Sequence, residues 1–505
     1  MRFNILARRN KTVRNHEGEK SWTLCPELEL YTAVVTTSLD KKFYESAKER
    51  VTRIRTLVSQ CDATFVAKLA VYAREKMYLR SIPLVLVVEL AKVHQGDSLV
   101  SKLVNRVVKR ADEITELLAY YQAANERQGV KKLGGMSKQL QKGLALAFNK
   151  FDEYQFAKYN RATEVKLRDA LFLIHPRPKD VDQQALFDKI ASDSLAVPET
   201  WEVKMTQFGQ ANYASAAKKK AARTAEWEAM IESGKMGYMA MLRNLRNFLE
   251  ADISDAHLMR VTDRLGDAAQ VAQAKQLPFR FLSAFRELKH TASMQTPLVL
   301  EALEVAIQAS VANLKGFDRN TKVLVAADVS GSMYVPVSAK SKIQMYDIGL
   351  LMGMLLQHKC ARVITSIFGS DFKVKNLPRT NILQNTHSLQ SMCGEVGYGT
   401  NGYKVINYLI KQKMKLDKVM IFTDMQLWSS EGKENHLSKS WAAYKKIAPQ
   451  ARLYIFDLAG YGQTPIDVKQ SDVSLIAGWS EKVFEILEAI ENGGDALAEI
   501  NKIEV

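Results

Sequence analysis

The stretch VLVAADVSGSM, Val323–Met333, decides the fold of the second part of this chain. Its β-branched and apolar residues predict a buried strand that ends at Asp328. Ser330 and Ser332 follow at a spacing of two, in the loop that the chain enters when the strand stops. Three oxygen-bearing side chains can therefore converge at the carboxyl edge of a sheet. Such oxygens are ligands for a hard divalent cation, and we expect Mg²⁺, with Mn²⁺ as the alternative.

Two later segments add oxygen ligands to this set. Thr400 lies in the glycine-rich loop GYGTNG, and Asp424 ends a second apolar strand, VMIFTD. Ligands of α/β sheets bind outside the carboxyl ends of the strands, where both aspartates fall. The alternative is a serine-capped strand-to-helix turn that holds no metal. The predicted metal ligands are Asp328, Ser330, Ser332, Thr400 and Asp424.

These five positions resemble the metal-ion-dependent adhesion site of von Willebrand factor A domains. The DxSxS spacing, the threonine loop and the second strand-end aspartate occur here in that order. In adhesion modules of this type, the cation keeps one coordination position open for a carboxylate of a partner. The resemblance implies either that role or a structural role for the cation here.

From Lys322 onward, strand-like and helix-like segments alternate. KVLVAAD, ARVITSIFGS, DKVMIFTD and ARLYIFDLAG are the strand candidates, and helical patterns separate most of them. Such alternation predicts a largely parallel sheet that is covered on both faces. We therefore expect an α/β, Rossmann-like domain over residues 321–505, and the resemblance described above implies that it is a von Willebrand factor A domain.

Residues 1–320 have the pattern of one helix after another. FVAKLAVYAREKM, Phe65–Met77, places its apolar residues at helical spacing. Near the end of this part, Thr296 and Pro297 predict a helix cap followed by a first helical residue. Short connections between helices favour a stack of helical repeats, although no clean repeat period is present. We expect an all-α domain over residues 1–320.

Composition limits where the protein works. The first twenty residues are polar and basic, without the apolar core of a signal peptide. The longest apolar run, Ile82–Val88, is too short to span a bilayer. The four cysteines are widely spaced and form no CxxC pair, which fits a reducing compartment. We expect a cytoplasmic protein with no membrane partner.

The net charge of +16 is unevenly distributed. Residues 1–320 hold 50 Lys and Arg against 37 Asp and Glu, whereas residues 321–505 hold 21 against 18. An excess of positive charge on one part favours a polyanionic partner, of which nucleic acid is the common case. The alternative is a lysine-rich solvated surface without a partner.

Several basic clusters are candidate RNA contacts. Each cluster alone is more often a solvated helix face, and only their joint excess favours RNA. His175 follows an apolar helix and has the alternative of being a buried or capping residue. Its basic neighbourhood would also let it donate to a phosphate or stack on a base. The candidate residues are Lys158, Arg161, Lys166, Arg168, His175, Arg177, Lys218, Lys219, Lys220, Arg243 and Arg246.

The order of these parts resembles the Ro autoantigen family, whose members join a TROVE domain to a von Willebrand factor A domain. The segments that carry the resemblance are FVAKLAVYAREKMYLRSIP, LRDALFLIHPRP, GYMAMLRNLRN, QLPFRFLSAF and AADVSGSM. The resemblance implies a ring of HEAT-like helical repeats that is closed by the second domain. Lys158 and His175 match family positions implicated in contact with Y RNA. A family arginine falls at Ala162, one place from Arg161, so the contact there is uncertain.

The resemblance also implies what the protein binds. Family members bind small noncoding RNAs of the Y RNA type on an outer basic surface, and the central hole accepts single-stranded RNA ends. The implied role is a ribonucleoprotein in noncoding RNA quality control and stress survival. An RNA-processing protein such as an exoribonuclease is the expected protein partner, and the chain itself is expected to be a monomer.

Three classes of function compete for this sequence. A non-catalytic RNA-binding scaffold is favoured by the positive charge of the helical part. A metal-dependent protein-interaction scaffold without RNA binding is the alternative. An enzyme is disfavoured, because the aspartate-dependent phosphatase pattern needs an acid where Ser330 stands, and neither a GxSxG nor a Gly-rich GK[ST] motif occurs.

Overall fold

The structure, a computed structural model, describes most of the 505 residues. The described residues are 12–37, 44–125, 133, 135–160, 163–274, 276, 278–314, 317–338, 341–429, 437–468, 470–478, 483–492 and 497–505. They group into two compact units. The first unit comprises the described residues of Met1–Cys25, Asp40–Ser46 and Phe208–Ala496. The second unit comprises those of Pro26–Leu39, Ala47–Gln207 and Leu497–Val505.

The first part of the chain is helical, as predicted. Two short strands precede the helices. The elements are β1 (Thr12–Arg14), β2 (Lys20–Thr23), α1 (Pro26–Val35), α2 (Ala47–Gln60), α3 (Ala63–Glu75), α4 (Ser81–Val93), α5 (Leu99–Val107), α6 (Asp112–Ala124), α7 (Lys138–Phe148), α8 (Glu153–Tyr159), α9 (Leu167–Ile174), α10 (Val181–Ala191), α11 (Trp201–Gln210), α12 (Ala216–Glu232), α13 (Tyr238–Ala251), α14 (Asp255–Gly266), α15 (Ala268–Ala274), α16 (Pro278–Leu288) and α17 (Thr296–Ser310).

The second part alternates strands and helices, as predicted. Its elements are β3 (Lys322–Asp328), α18 (Met345–Lys359), β4 (Arg362–Phe368), β5 (Phe372–Lys375), α19 (Ile382–Ser391), α20 (Tyr403–Lys411), β6 (Lys418–Thr423), α21 (Leu437–Lys445), β7 (Arg452–Asp457), β8 (Gln463–Thr464), β9 (Val473–Ala477), α22 (Val483–Glu491) and α23 (Ala498–Asn501). The predicted domain limits, 1–320 and 321–505, mark the change from helices alone to alternating strands and helices. They stay a prediction.

Side-chain caps fix several helix starts in the second unit. Asp62 accepts a hydrogen bond from the Phe65 amide at 3.0 Å and so caps α3. Asp152 and Gln155 form a reciprocal capping box at the start of α8. These caps satisfy amides that a helix cannot satisfy internally, and the chain can turn sharply before each helix.

The start of α17 differs by one residue from the prediction. Thr296 is the first helical residue, Gln295 is the capping residue, and Pro297 stands one place further in. The reason is that the Thr296 hydroxyl donates to the carbonyl of Thr291 at 3.0 Å. It is therefore engaged with the preceding turn rather than with the amides of its own helix.

A six-stranded sheet forms the centre of the first unit. Its strand order is β5-β4-β3-β6-β7-β9, and all neighbours are parallel except β4 and β5. Every residue of β6 is buried, as is all of β3 except Lys322. Parallel strands that are buried on both faces need covering helices, which explains the continuous apolar runs. The chain order reverses direction at β3, so the switch point of the sheet lies at its carboxyl end.

A small antiparallel sheet belongs to the same unit. In it, β2 lies between β1 and β8, and Trp22 pairs with Thr464. This sheet was not predicted, because strands of two to four residues are too short to show a period. It brings the N-terminal hairpin, residues 12–23, onto the same unit as the large sheet.

A buried ion pair links a helix of the first part to the large sheet's covering helix. Arg286 of α16 donates to Asp347 of α18 through both terminal nitrogens, at 2.7 and 2.6 Å. The Asp347 side chain is fully buried, and it also accepts from the Gln344 amide at 2.8 Å. A bidentate pair of this kind fixes both partners in one orientation.

Candidate functional site

The two predicted aspartate ligands lie at the carboxyl ends of adjacent strands. Asp328 is the last residue of β3, and Asp424 directly follows β6. The two strands are paired in parallel, with Ala327 opposite Phe422, so both chains leave the sheet at one edge. All five predicted metal ligands are buried. The strand ends therefore place the two aspartates at one edge of the sheet.

The DxSxS loop turns back on its own aspartate. The Ser330 amide donates to Oδ1 of Asp328 at 2.9 Å, and a short 3-10 helix begins at Gly331. This turn brings the hydroxyl oxygens of Ser330 and Ser332 within 3.4 Å of each other. A carboxylate and two hydroxyls thus face one small volume.

The Thr400 loop is held against the end of β6. The Thr400 hydroxyl donates to the Gln426 carbonyl at 3.2 Å and accepts from the Trp428 amide at 3.0 Å. The loop fits because glycine permits close backbone contact. A Cβ built on Gly369 would lie 2.1 Å from the Gly397 carbonyl oxygen, and Gly397 itself has a φ of +69°.

Both carboxylate oxygens of Asp328 and one carboxylate oxygen of Asp424 accept hydrogen bonds. Oδ2 of Asp328 accepts from the Thr423 hydroxyl at 2.7 Å, and Oδ1 of Asp424 accepts from the Gln426 amide at 3.0 Å. The remaining oxygen of Asp424, Oδ2, is buried without a hydrogen-bond partner among the described residues. An unpaired buried carboxylate oxygen is costly unless a cation or donor meets it.

Burial also disfavours the charged form of both carboxylates. Burial, and then the charge of Asp424, raise the pKa of Asp328 above the ordinary aspartate value. Burial raises the pKa of Asp424 as well, with the Ser332 hydroxyl acting in the opposite direction and Glu17 adding to the rise. A divalent cation would relieve this repulsion and satisfy the unpaired oxygen. The donor set thus fits a hard cation.

This donor set differs from a site built from three or more His, Cys, Asp or Glu side chains. Among the described residues no such cluster exists. Two carboxylates and three hydroxyls carry the candidate site instead. Thr423, which orients Asp328, could not be predicted, because a threonine inside a buried strand gives no signal of that contact.

In the second unit, the candidate RNA residues lie among aromatic rings. The Lys158 ammonium lies 5.5 Å from the ring centre of Tyr154 and 5.7 Å from that of Tyr159. The Arg168 guanidinium lies 5.8 Å from the ring of Phe172, whose surface is 52% exposed. Arg168 and the rings of Tyr154 and Phe172 are exposed and Lys158 is partly exposed, so these groups can contact phosphates and stack on bases.

The remaining candidates of this unit are exposed at the ends of α9. Lys166 directly precedes the first residue of α9, and Arg177 follows its end. His175 is the C-cap with a left-handed φ of +48°, so its backbone has the capping role that was the alternative reading. Its side chain is nevertheless exposed and accessible to a ligand. Arg161 lies outside the described residues.

In the first unit, α12 carries Lys218, Lys219 and Lys220 on exposed positions. Lys220 is 3.4 Å from the carboxylate of Asp252. Lys218 and Lys219 have no ion pair within the described part of the chain. This cluster is therefore a solvated basic face. A phosphate can reach it, but none of its contacts requires one.

Arg243 and Arg246 lie in a cavity between α13 and α16. The cavity has a volume of about 220 Å³, and Arg280 of α16 also lines it. Arg246 pairs with Glu250 at 3.3 Å and with Glu287, whereas Arg243 and Arg280 have no acidic partner among the described residues. Burial and the charge of Arg243 lower the pKa of Arg280 from its ordinary value. Arg280 was not predicted, because a lone arginine within the apolar segment PFRFLSAF is its only signal.

Two domains of known protein families match this chain. Residues 30–226 and 195–315 match the TROVE domain, and residues 322–490 match the Ro60 von Willebrand factor A domain. This chain belongs to the Ro family. The Ro family is a family of RNA-binding proteins, and membership confirms the resemblance of the sequence motifs.

Individual relatives of this Ro-family chain are distant. Telomerase protein component 1 of Rattus norvegicus is 22% identical over 337 residues, which cover 51% of this chain and 12% of that protein. Telomerase protein component 1 of Mus musculus is 39% identical over 90 residues, which cover 18% of this chain and 3% of that protein. The chain thus spans a small part of the length of both relatives.

A solved structure shares the fold. The crystal structure of the Deinococcus radiodurans RO (RSR) protein superposes with a TM-score of 0.62, at 18% sequence identity. The match covers 93% of this chain and 100% of that one. At this identity the likeness concerns the fold. Separately, none of the helices that the structure describes combines the length and apolar character of a membrane span.

Proposed function

We propose that this Ro-family chain is a non-catalytic RNA-binding scaffold. It binds small noncoding RNA of the Y RNA type and single-stranded RNA ends as a ribonucleoprotein in noncoding RNA quality control. The observation that carries the proposal is the pair of arginines, Arg243 and Arg280, in one cavity without an acidic partner among the described residues.

Two such arginines favour an anion. Arg243 and Arg280 both keep exposed surface, and partial desolvation in the cavity, followed by the charge of Arg243, lowers the pKa of Arg280. A phosphate group would lower the energy of both guanidinium groups through charge-assisted hydrogen bonds. The cavity volume of about 220 Å³ accommodates a phosphate with its adjoining sugar atoms. RNA backbone supplies that chemistry in a form that is tolerant of sequence.

The aromatic and basic residues of the second unit support the same role. Lys158 and Arg168 can bind backbone phosphates, and their neighbouring rings can stack on unpaired bases. Single-stranded segments offer both groups at once, whereas a regular duplex hides its bases. The surface therefore favours loops, bulges and ends of structured RNA.

The second element of the proposal is a divalent cation, Mg²⁺ or Mn²⁺, on the predicted ligands at the sheet edge. The unpaired Oδ2 of Asp424 and the raised pKa of both aspartates support it. The cation would serve attachment of a protein that offers a carboxylate, such as an RNA-processing exoribonuclease. We place the chain, as a monomer, in the cytoplasm.

The RNA part is tested by titrating a small structured RNA with a single-stranded tail at several salt concentrations. Arg243→Gln with Arg280→Gln should weaken binding and reduce the salt slope by about two, one for each lost phosphate contact. Arg260→Gln, on the exposed face of α14 in the same unit, is the charge-matched control and should leave the slope within its error. Equal slopes for the control and the double variant would remove this cavity from the RNA footprint.

A metal-dependent protein-interaction scaffold without RNA binding remains the second candidate. The buried ligand set at the sheet edge favours it, because that set does not need RNA. It predicts that the wild-type protein retains no RNA even at low salt, while an acidic protein partner binds in the presence of Mg²⁺.

A further inference from the structure

A second cavity lies beside the arginine cavity of α13 and α16. Its volume is about 430 Å³, and its lining runs from the last turns of α13 past the end of α16 to Lys342, in the segment before α18. Arg246 and Glu287 line both cavities. The two cavities are therefore neighbouring parts of one groove, and all of its lining residues belong to the first unit.

Glu287 stands at the shared boundary and binds two cations at once. Its Oε1 accepts from the Arg246 guanidinium, and its Oε2 accepts from the Lys342 ammonium. Hydrogen bonding to Lys342, with the charges of Lys342 and Arg246 adding to it, lowers the pKa of Glu287 from its ordinary value. Glu287 is thus an anion that lies between two cations of the groove.

The two cations lie next to the arginines of the first cavity. Arg243 and Arg246 are three residues apart on α13, and residues at this spacing are neighbours on one helix face, about 5–6 Å apart. Arg280 and Glu287 are seven residues apart on α16, which is about two turns along one face. A phosphate at Arg243 and Arg280 would therefore have the next phosphate of its strand near Arg246 and Lys342.

The ion pairs of Glu287 are of a kind that exchanges readily. The side chains of Arg246 and Lys342 are 48% and 67% exposed, and that of Glu287 is 28% exposed. Exposed ion pairs contribute little to stability, because water screens them and two long side chains must be ordered. A backbone phosphate offers the same cations charge-assisted hydrogen bonds. By contrast, Arg286 is held by the fully buried carboxylate of Asp347 and is not available for exchange.

We propose that Arg246 and Lys342 form a second phosphate subsite, which Glu287 occupies when no RNA is bound. A single strand whose first phosphate lies at Arg243 and Arg280 displaces the Glu287 carboxylate with its next phosphate. This inference rests on the proposed RNA binding by the first cavity. It is carried by the contacts of Glu287 to both cations and by its position in the lining of both cavities.

The test measures binding of a short, fluorescently labelled oligouridine to the full chain by fluorescence anisotropy. Glu287→Gln should bind the oligomer about fivefold more tightly than the wild type, because the strand no longer competes with a carboxylate for two cations. The glutamine keeps the size of the side chain, and the position is partly exposed, so the fold should be retained.

Glu301→Gln is the matched control. It removes the same charge from an exposed position on α17 in the same unit. We expect its affinity within about twofold of the wild type, since a distant exposed charge acts only through the screening solvent. A Glu287→Gln protein with the affinity of this control would overturn the inference.

Lys342→Gln tests whether the gain depends on the second subsite. In a Lys342→Gln background, Glu287→Gln should raise the affinity by no more than about twofold, because one of the two released cations is missing. If the gain in that background were as large as in the wild type, Glu287 would act only through its general charge, and the subsite would be wrong.

Arg243→Gln with Arg280→Gln separates the two possible failures. If the wild type binds the oligomer and this double variant loses most of the affinity, the first cavity stands, and the comparison of Glu287→Gln with Glu301→Gln decides the inference. If the wild type does not bind the oligomer, or if the double variant binds it equally well, both the RNA site in the first cavity and the second subsite are wrong.

Discussion

The edge of the large sheet and the basic helical surfaces of this chain differ in what fixes their side chains. At the sheet edge, Asp328 and Asp424 are placed by strand ends and held by hydrogen bonds to their own loops. On the helices, Lys218 and Arg168 stand on exposed positions with many rotamers available. The difference teaches that a binding site for a small ion is specified by the backbone, whereas a surface for a polyanion is specified by an accumulation of charge.

The largest expected effect concerns the ion pair that ties α16 to α18. Arg286→Met leaves the fully buried Asp347 carboxylate without its cation, which should lower the free energy of unfolding by about 3–5 kcal/mol. Chemical denaturation followed by far-UV circular dichroism measures this. The loss would show that these helices and the sheet are one stability unit despite their different architectures.

The exposed Arg260→Met is the control for that change, and its effect should stay within about 0.5 kcal/mol. Adding Asp347→Asn to Arg286→Met should recover part of the loss, since it removes the uncompensated charge. A small effect for Arg286→Met, close to that of the control, would contradict the role given to the pair.

The next effect is the stabilisation of the sheet edge by Mg²⁺. At a concentration of 100 times its dissociation constant, a bound cation adds about 2.7 kcal/mol to the free energy of unfolding. Asp424→Asn should abolish this increment, because the amide cannot supply the unpaired anionic oxygen. Thermal unfolding with Mg²⁺ and with a chelator measures it, and an increment retained in Asp424→Asn would place the cation elsewhere.

A smaller effect separates stacking from charge on the second unit. Phe172→Ala should weaken binding of single-stranded RNA by about 1 kcal/mol without changing the salt slope. Arg168→Gln, four residues earlier on the same helix, should reduce the salt slope by about one. If both variants changed the slope alike, the ring would serve only to position the arginine.

The smallest effect comes from a partly buried carboxylate with no metal role. Glu304 of α17 accepts from the Leu383 and Gln384 amides at the start of α19, at 3.1 and 2.9 Å. Burial raises its pKa, so the folded state holds the proton more tightly than the unfolded state. Its contribution to stability is therefore complete below the ordinary pKa of 4.5 and declines as the pH rises through the folded value.

Glu304→Gln should accordingly gain stability relative to the wild type as the pH rises from 4.5 towards neutrality. Mg²⁺ should leave this difference unchanged, in contrast to the sheet edge. Denaturation curves at several pH values, with and without Mg²⁺, measure both points. If the difference in unfolding free energy between Glu304→Gln and the wild type did not depend on pH, the pKa of Glu304 would not be raised by its burial.

The sheet and its candidate ligands were predictable because they depend on local sequence. The strand KVLVAAD has the bounds that its apolar run indicates, and Asp328 ends it. By contrast, the sequence pattern did not indicate β5 and α19, since Phe372–Lys375 is short and α19 carries polar residues on much of its surface.

The hairpin at the sheet edge could not be predicted for a different reason. Asn15 contacts Leu427 across 412 residues of sequence, and such a long-range contact leaves no period or motif in either segment. The same holds for Arg280, which joins Arg243 only through the packing of α16 on α13. Long-range juxtapositions decide the details of both candidate sites.

The account depends on RNA and cation occupying separate regions of the chain, and salt-dependent RNA binding by Asp328→Asn tests this most directly. Filter binding of a small structured RNA from low to moderate salt should give the wild-type slope and an affinity within about twofold, because the phosphate contacts lie elsewhere. A folded Asp328→Asn protein that loses RNA as strongly as Arg243→Gln with Arg280→Gln would contradict the account.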